Sequence, residues 1–460
     1  MTTTQKPIEH VNVEIPGTNL GMQAGQFVFL GAQTPVDLAT GALVATLGDL
    51  PDKARRDLTV GIPLVDVPDE RILSQAWRIL NNVREILARQ GLSLDDVVHQ
   101  CFYLRDMRDV PALEKVILAF MAGDRPSTTI VGATAKGVNS AIAVQADFIV
   151  LADSKVKRQN ISIPELDFLT APFPLATRAG QYLFTSPLSG INPETRRLAT
   201  CFSDLSEQER ELVEPPYSRQ GESVVAQHIM LFRHVRKILE SQGSSLAYQL
   251  RQNGWLTIPL REFGPVSRVR RRLFSGENTG PFTSLTVSGV RTESAAFEYS
   301  VIALVPPRNA GEHKREALMP PHGIASYYIG AARSGPYVIA AGEVPVDMSI
   351  PGAITRFSDL KDTGRFLSVG RVHEDRPIMA KAWFVYQKLK SCLEDYGSAM
   401  DRVVWQRVFM AEPADYPALE RVATLFYGAR LPPTTIVPIL DTSPYPEAGL
   451  EIEVIGWTDQ

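Results

Sequence analysis

Apolar residues recur three and four positions apart between Ile72 and Leu87, placing Ile72, Leu73, Ala76, Leu80, Val83 and Leu87 on one side of a helix. The same period begins again near Val224 and near Ile378, and the three runs stop at Gly91, Gly243 and Gly397. A glycine there suits the left-handed residue that commonly closes a helix. Alternation with period two marks strands in AVQADFIVL, AFEYSVIAL and GLEIEVIGW, as expected of strands covered on one side. VVHQCFYL from Val97 and VVWQRVFM from Val403 predict a further matched strand, whereas the intervening counterpart is the divergent QLRQNGWLTI. A second helix is predicted in DVPALEKVILAFMAG, with Leu113, Val116, Ile117 and Phe120 to one side, and in DYPALERVATLFYGA. Its middle counterpart carries SRVRRRLF, whose Arg268, Arg270, Arg271 and Arg272 read as a solvated helix face, with an anion or partner contact as the alternative.

These elements repeat. GQFVFLGAQTPVD, GQYLFTSPLSGIN and GPYVIAAGEVPVD start at Gly25, Gly180 and Gly335, a constant spacing of 155 residues, and Asp49, Asp204 and Asp359 keep it. An aspartate before a polar turn is expected to cap it; a carboxylate lid over a cleft is the alternative. Each period reads strand, strand, helix, strand, helix, strand, strand. The chain divides accordingly into 1–153, 163–306 and 320–460, with the middle copy the most diverged. The polar ADSKVKRQNISIPE from Ala152 and the Pro-rich VPPRNAGEHKREALMPP from Val305 read as linkers.

At about 150 residues per domain, 460 residues suit three domains. A composition of 44% hydrophobic and 21% charged residues can bury a core. With 47 Lys+Arg against 51 Asp+Glu the net charge is −4, so no broad positive field favours nucleic acid as a partner. Cys101, Cys201 and Cys392 lie too far apart to suggest a disulfide framework or zinc site, and a reducing cytoplasm fits them. Neither the opening MTTTQKPIEHVNVEIPG nor any later apolar run predicts a leader or a membrane span. His228 and His234 stand six apart with no HExxH or Cys/His cluster, so no metal is expected, and no phosphate-binding glycine loop or GxSxG suggests a cofactor or serine nucleophile.

GAQTPVDLATGALV, the helix end GLSLDDVV, the strand end YLRDM and the Pro-x-x-Thr strand before AVQADFIVL together resemble the RidA/YjgF family of reactive-intermediate deaminases, also called L-PSP. The third period resembles it as clearly as the first. The resemblance implies an α+β, chorismate-mutase-like domain. Family members are homotrimers with sheets inside, helices outside and ligand clefts at the subunit contacts, so three RidA-like copies in one chain imply an intramolecular pseudo-trimer that needs no second chain.

The resemblance also implies hydrolysis, deamination or proton transfer on a small imine, enamine or related electrophile, and marks positions for it. The family's carboxylate-gripping arginine falls on Thr128, Thr283 and Thr434, and is absent from every copy. A threonine has no charge and cannot form a charge-assisted fork, so 2-imino acids are expected to be poor substrates. The family's acid falls on Gln145, Glu298 and Glu451, of which only the two glutamates can act as a base. Its cleft tyrosine falls on Thr18, Phe173 and Tyr328. The expected site therefore has Glu451 and Glu298 as catalytic groups, with Thr434, Thr283, Thr128, Gln145, Tyr328 and Phe173 touching substrate. The bland alternative makes the glutamates ordinary strand residues and the aromatics core. For the whole chain the alternatives are a non-catalytic small-molecule-binding or scaffold protein, and a cyclic-amide hydrolase of the cyanuric acid hydrolase type, which shares only a three-domain architecture.

Overall fold

The computed structural model describes residues 6–7, 20–60, 70–134, 140–213, 219–259, 262–274, 280–306, 316–318, 329–347, 352–360, 364, 367, 377–428, 430–442 and 446–459. The fold is mixed α+β, with three large sheets. In the first, Gly21–Ala24 and Phe27–Gln33 form a hairpin, and Val144–Leu151, Val97–Leu104 and Ser127–Gly132 follow in that spatial order. Ser127–Gly132 runs parallel to Val97–Leu104, as a crossover through the helix Val110–Phe120 permits. The second sheet takes the same order from Ala176–Ala179 through Tyr182–Thr185, Phe297–Leu304 and Gln249–Leu256 to Phe282–Thr286. The third takes it from Ala331–Ser334 through Tyr337–Ala340, Leu450–Trp457 and Val403–Met410 to Thr434–Pro438.

The long helices are Glu70–Arg89, Arg219–Ser241 and Pro377–Glu394. Ile72, Leu73, Ala76, Leu80, Val83 and Leu87 are all buried, in one cluster with Val28, Leu30 and Phe148 of the sheet. Each large apolar side chain so buried contributes about 1.5–3 kcal/mol. Gly91 sits at φ of 72°, and Gly243 and Gly397 at 74°, each just past the end of its helix. An L side chain there would be strained, which explains the three stops.

Two expectations are corrected. The supposed linkers contain strands: Arg158–Ile161 pairs with Ala176–Ala179 and Glu316–Leu318 with Ala331–Ser334, so the second and third sheets begin before residues 163 and 320. Backbone pairing at a sheet edge depends little on side-chain polarity, which is why the composition hid them. Arg270 is fully buried rather than solvated, while Arg271 and Arg272 are exposed. It lies on the inward face of Gly264–Leu273 with Val266, Val269 and Leu273, its Cζ 4.2 Å from the centre of the Phe282 ring and 4.5 Å from that of Phe274.

The sheets meet edge to edge. Gly289–Val290 extends the first sheet beyond Ser127–Gly132, and Asp441–Thr442 extends the second beyond Phe282–Thr286. Three corresponding backbone bonds run Ser288 N to Gly132 O (3.1 Å), Leu440 N to Thr286 O (2.8 Å) and Thr134 N to Pro438 O (3.2 Å). Phe27, Tyr182 and Tyr337 pack against one another with ring centres 5.5–5.7 Å apart. Trp255 packs against Tyr103 and Phe409.

The same faces bury a charge network. Arg407 donates to Asp147 at 2.9 and 2.7 Å through Nε and Nη2, and to Glu453 at 3.2 Å through Nη1. Glu453 also accepts from Asn253 and Thr283, both at 2.8 Å, and stands 3.5 Å from Arg251 Nη1. Although burial alone would raise its pKa, the Arg251 and Arg407 guanidiniums hold Glu453 below the usual carboxylate range. Among the described residues no helix is long and apolar enough to cross a membrane.

Candidate functional site

Thr128 of the first sheet, Glu298 of the second and Phe173, from the loop before Ala176–Ala179, line one cavity. Its volume is about 10 Å³, room for roughly one water molecule. Thr128 opens the strand Ser127–Gly132; its hydroxyl donates to Pro126 O and accepts from Gln100 Nε2, both at 2.9 Å. The wall opposite is Ser186, whose Oγ accepts from Thr128 N at 3.0 Å and donates to Pro174 O. Glu298 is 2% exposed. Its Oε1 accepts from Thr292 N at 2.8 Å, and its Oε2 has no hydrogen-bond partner among the described residues. Burial raises the Glu298 pKa, and the Thr292 hydrogen bonds and the Arg291 charge offset only part of that.

Arg291 was not among the expected site residues. It lines the same cavity, with its Cζ 5.7 Å from the centre of the Phe173 ring. Its Nε meets Glu114 of the first sheet's helix at 2.7 Å and its Nη2 donates to Ala171 O. A guanidinium thus reaches this cleft from a loop, although the strand position before it holds threonine.

The other two acid positions have different surroundings. Glu451 is buried against Gly342: a Cβ there would collide with Glu451 Oε1 and stand 2.8 Å from Thr283 Oγ1. The Thr283 hydroxyl donates to Glu453. Burial, with Glu453 and Glu343 nearby, pushes the Glu451 pKa well above the usual carboxylate value, and its Oε2 has no partner among the described residues. A raised folded-state pKa means the unfolded chain ionises first, so this group lowers stability as pH climbs from the unfolded value. Glu451→Gln should accordingly raise the denaturation midpoint at pH 7 and leave it nearly unchanged near pH 4; equal midpoints at pH 7 would show that the acid is not held neutral.

At the third position Gln145 Nε2 donates to Ile436 O at 2.5 Å, bonding the first sheet to the third. A Cβ on Gly31 would lie 2.7 Å from Thr434 N and 2.9 Å from Pro433 C, so the two backbones are in direct contact there. The Thr434 hydroxyl donates to Pro432 O and accepts from Gln406 Nε2, both at 2.8 Å. Tyr328 and Thr18 lie outside the described residues.

The recurring aspartates close their own turns. Asp49 accepts from Ala45 N and Thr46 N, Asp204 from Thr200 N and Cys201 N, and Asp359 from Thr355 N and Arg356 N. This geometry is that of a cap, and it holds all three carboxyls below their ordinary pKa. These oxygens are engaged by the backbone beside them. His228 is buried among Phe232, Phe297 and Tyr299. Among the described residues no group of three or more His, Cys, Asp or Glu side chains is placed to hold a metal ion.

Comparison with known proteins agrees on part of the chain. A RutC family protein of Pyrococcus horikoshii is 28% identical over 110 residues, 24% of this chain and 68% of that protein. Protein DfrA of Myxococcus xanthus is 26% identical over 125 residues, 27% of this chain and 77% of that protein. The solved structure of RidA from the Antarctic bacterium Psychrobacter is 18% identical, with a TM-score of 0.24, covering 32% of this chain and 98% of that one. Residues 61–148 match the family model of endoribonuclease L-PSP.

Proposed function

We propose that the chain is a covalent pseudo-trimer of three RidA-like units and hydrolyses a small imine, enamine or related electrophile in the cleft between Thr128 and Glu298. The observation that carries this reading is the meeting of Thr128, Phe173, Glu298 and Arg291 around one cavity, with a carboxyl oxygen unpaired among the described residues. The matching sheet orders and the three corresponding backbone bonds between sheets support the pseudo-trimer. Glu298 Oε2 accepts a proton from water as the water oxygen bonds to the imine carbon and passes it to nitrogen; it then carries the hydroxyl proton to nitrogen as the carbon–nitrogen bond breaks, releasing ammonia and leaving a carbonyl product. A carboxyl whose pKa burial raises is suited to both directions of that transfer. Entry of substrate parts Arg291 from Glu114 and widens the cavity, freeing the guanidinium for an acidic substituent, so in this reading 2-imino acids are substrates of this cleft despite the threonine at position 128.

A panel of imines made in solution, with and without a carboxylate, tests this. Wild type should turn over at least one class, and Arg291→Gln should raise KM for the carboxylated imines by about tenfold or more with a smaller change in kcat, as loss of a charged hydrogen bond does. Unchanged KM for all substrates would remove Arg291 from the site. The competing reading, a non-catalytic binding protein, is favoured by one observation: the Thr128 and Thr434 hydroxyls are engaged by the chain itself. Absence of turnover across the panel together with saturable binding would select it.

A further inference from the structure

A second cavity lies on the faces where the three sheets meet, away from the cleft of Glu298, and its volume is also about 10 Å³. Arg251, Arg407, Trp405, Asn253, His99 and Phe184 are among its lining residues, and among the described residues no carboxylate lines it. Asp147 and Glu453 balance the arginine charges from elsewhere, and Arg407 is engaged by both. Arg251 is less well served. Its Nη2 donates to Ala340 O and Val454 O at 2.9 and 2.8 Å, its Nη1 is no nearer than 3.5 Å to Glu453, and its Nε has no partner among the described residues. Trp405 Nε1, fully buried, likewise has none.

Buried donors without acceptors are costly, by about 1–3 kcal/mol each, so the chamber calls for an acceptor. The unpaired N–H groups of Arg251 and Trp405 favour an acceptor that brings no hydrogens of its own, and a space of about one water suits a monatomic ion. We propose that this chamber is a binding site for a halide ion, chloride under ordinary conditions, held by Arg251 and the Trp405 indole. The site would lock the three sheets together from inside, and it stands independently of the reaction proposed above.

Crystals of the full chain grown in sodium bromide should show an anomalous bromide peak in the chamber beside Arg251. In solution, replacing sodium gluconate by sodium chloride at constant ionic strength should raise Tm saturably, by about 2–4 °C. Trp405→Phe, which removes only the N–H donor, should shift the half-saturating chloride concentration upward by about fivefold or more, and Arg251→Met should abolish the response. Should Arg251→Met fail to fold, the bromide peak and Trp405→Phe still decide. A chamber without an anomalous peak at high bromide, or equal Tm in both salts, would show that it holds water and would overturn the proposal.

Discussion

Arg407→Met should be the most destabilising single substitution on the faces where the sheets meet, lowering stability by about 3–5 kcal/mol, because it leaves two buried carboxylates without the cation between them. Arg407 is almost fully buried and bonds Asp147 through two nitrogens and Glu453 through a third. The loss should depend on pH with a definite sign. In the wild type the lowered pKa of Glu453 contributes stability that is present above the unfolded carboxylate value and disappears as pH falls through the folded one. Without Arg407 that contribution shrinks, so urea midpoints of variant and wild type should converge as pH falls below about 4. A constant difference from pH 4 to 8 would mean that lost packing, not lost charge pairing, dominates.

Glu298→Gln should lower turnover by about 10²–10⁴-fold with the fold intact, the usual contribution of a general acid–base group. A glutamine keeps the hydrogen bond from Thr292 N but cannot take a proton from water. Gln145→Ala should change turnover far less, since Gln145 is occupied in bonding Ile436 across the sheet contact. Glu451→Gln should also fall short of the Glu298 effect, because Glu451 is pressed between Gly342 and Thr283. Because burial raises the Glu298 pKa, kcat/KM should rise with pH through a value above the ordinary carboxylate range. Wild-type turnover in Glu298→Gln would make this carboxyl structural.

The helices were legible because Leu80, Val83 and Leu87 face one core and that face alone sets their period. The strands were legible for the same reason, but alternation could not say what covers the second face. Asp147 occupies a polar alternate position in QADFIVL, where solvent is the ordinary expectation, yet it is fully buried against Arg407 of the third sheet. A repeat with one copy's pattern in view does not reveal that its outer-looking face meets two other sheets. Thr128, Phe173 and Glu298 were singled out only through the family resemblance, and their meeting was not legible, since they come from two different sheets and a loop and no spacing links them. Arg291 was missed because its loop, SGVRTESA, has no counterpart pattern in the other periods, so position in the repeat carried no signal for it.

The central claim, one chain of three RidA-like units with its working cleft at Glu298, is tested most directly by a crystal structure soaked with pyruvate, the carbonyl product of the simplest side-chain-bearing amino-acid imine. The expected result is one molecule per chain between Thr128, Phe173 and Glu298, its oxygen within hydrogen-bond reach of Glu298 and its carboxylate on Arg291. Pyruvate bound instead at the Gln145–Thr434 contact, or three equivalent molecules in three equivalent clefts, would contradict it.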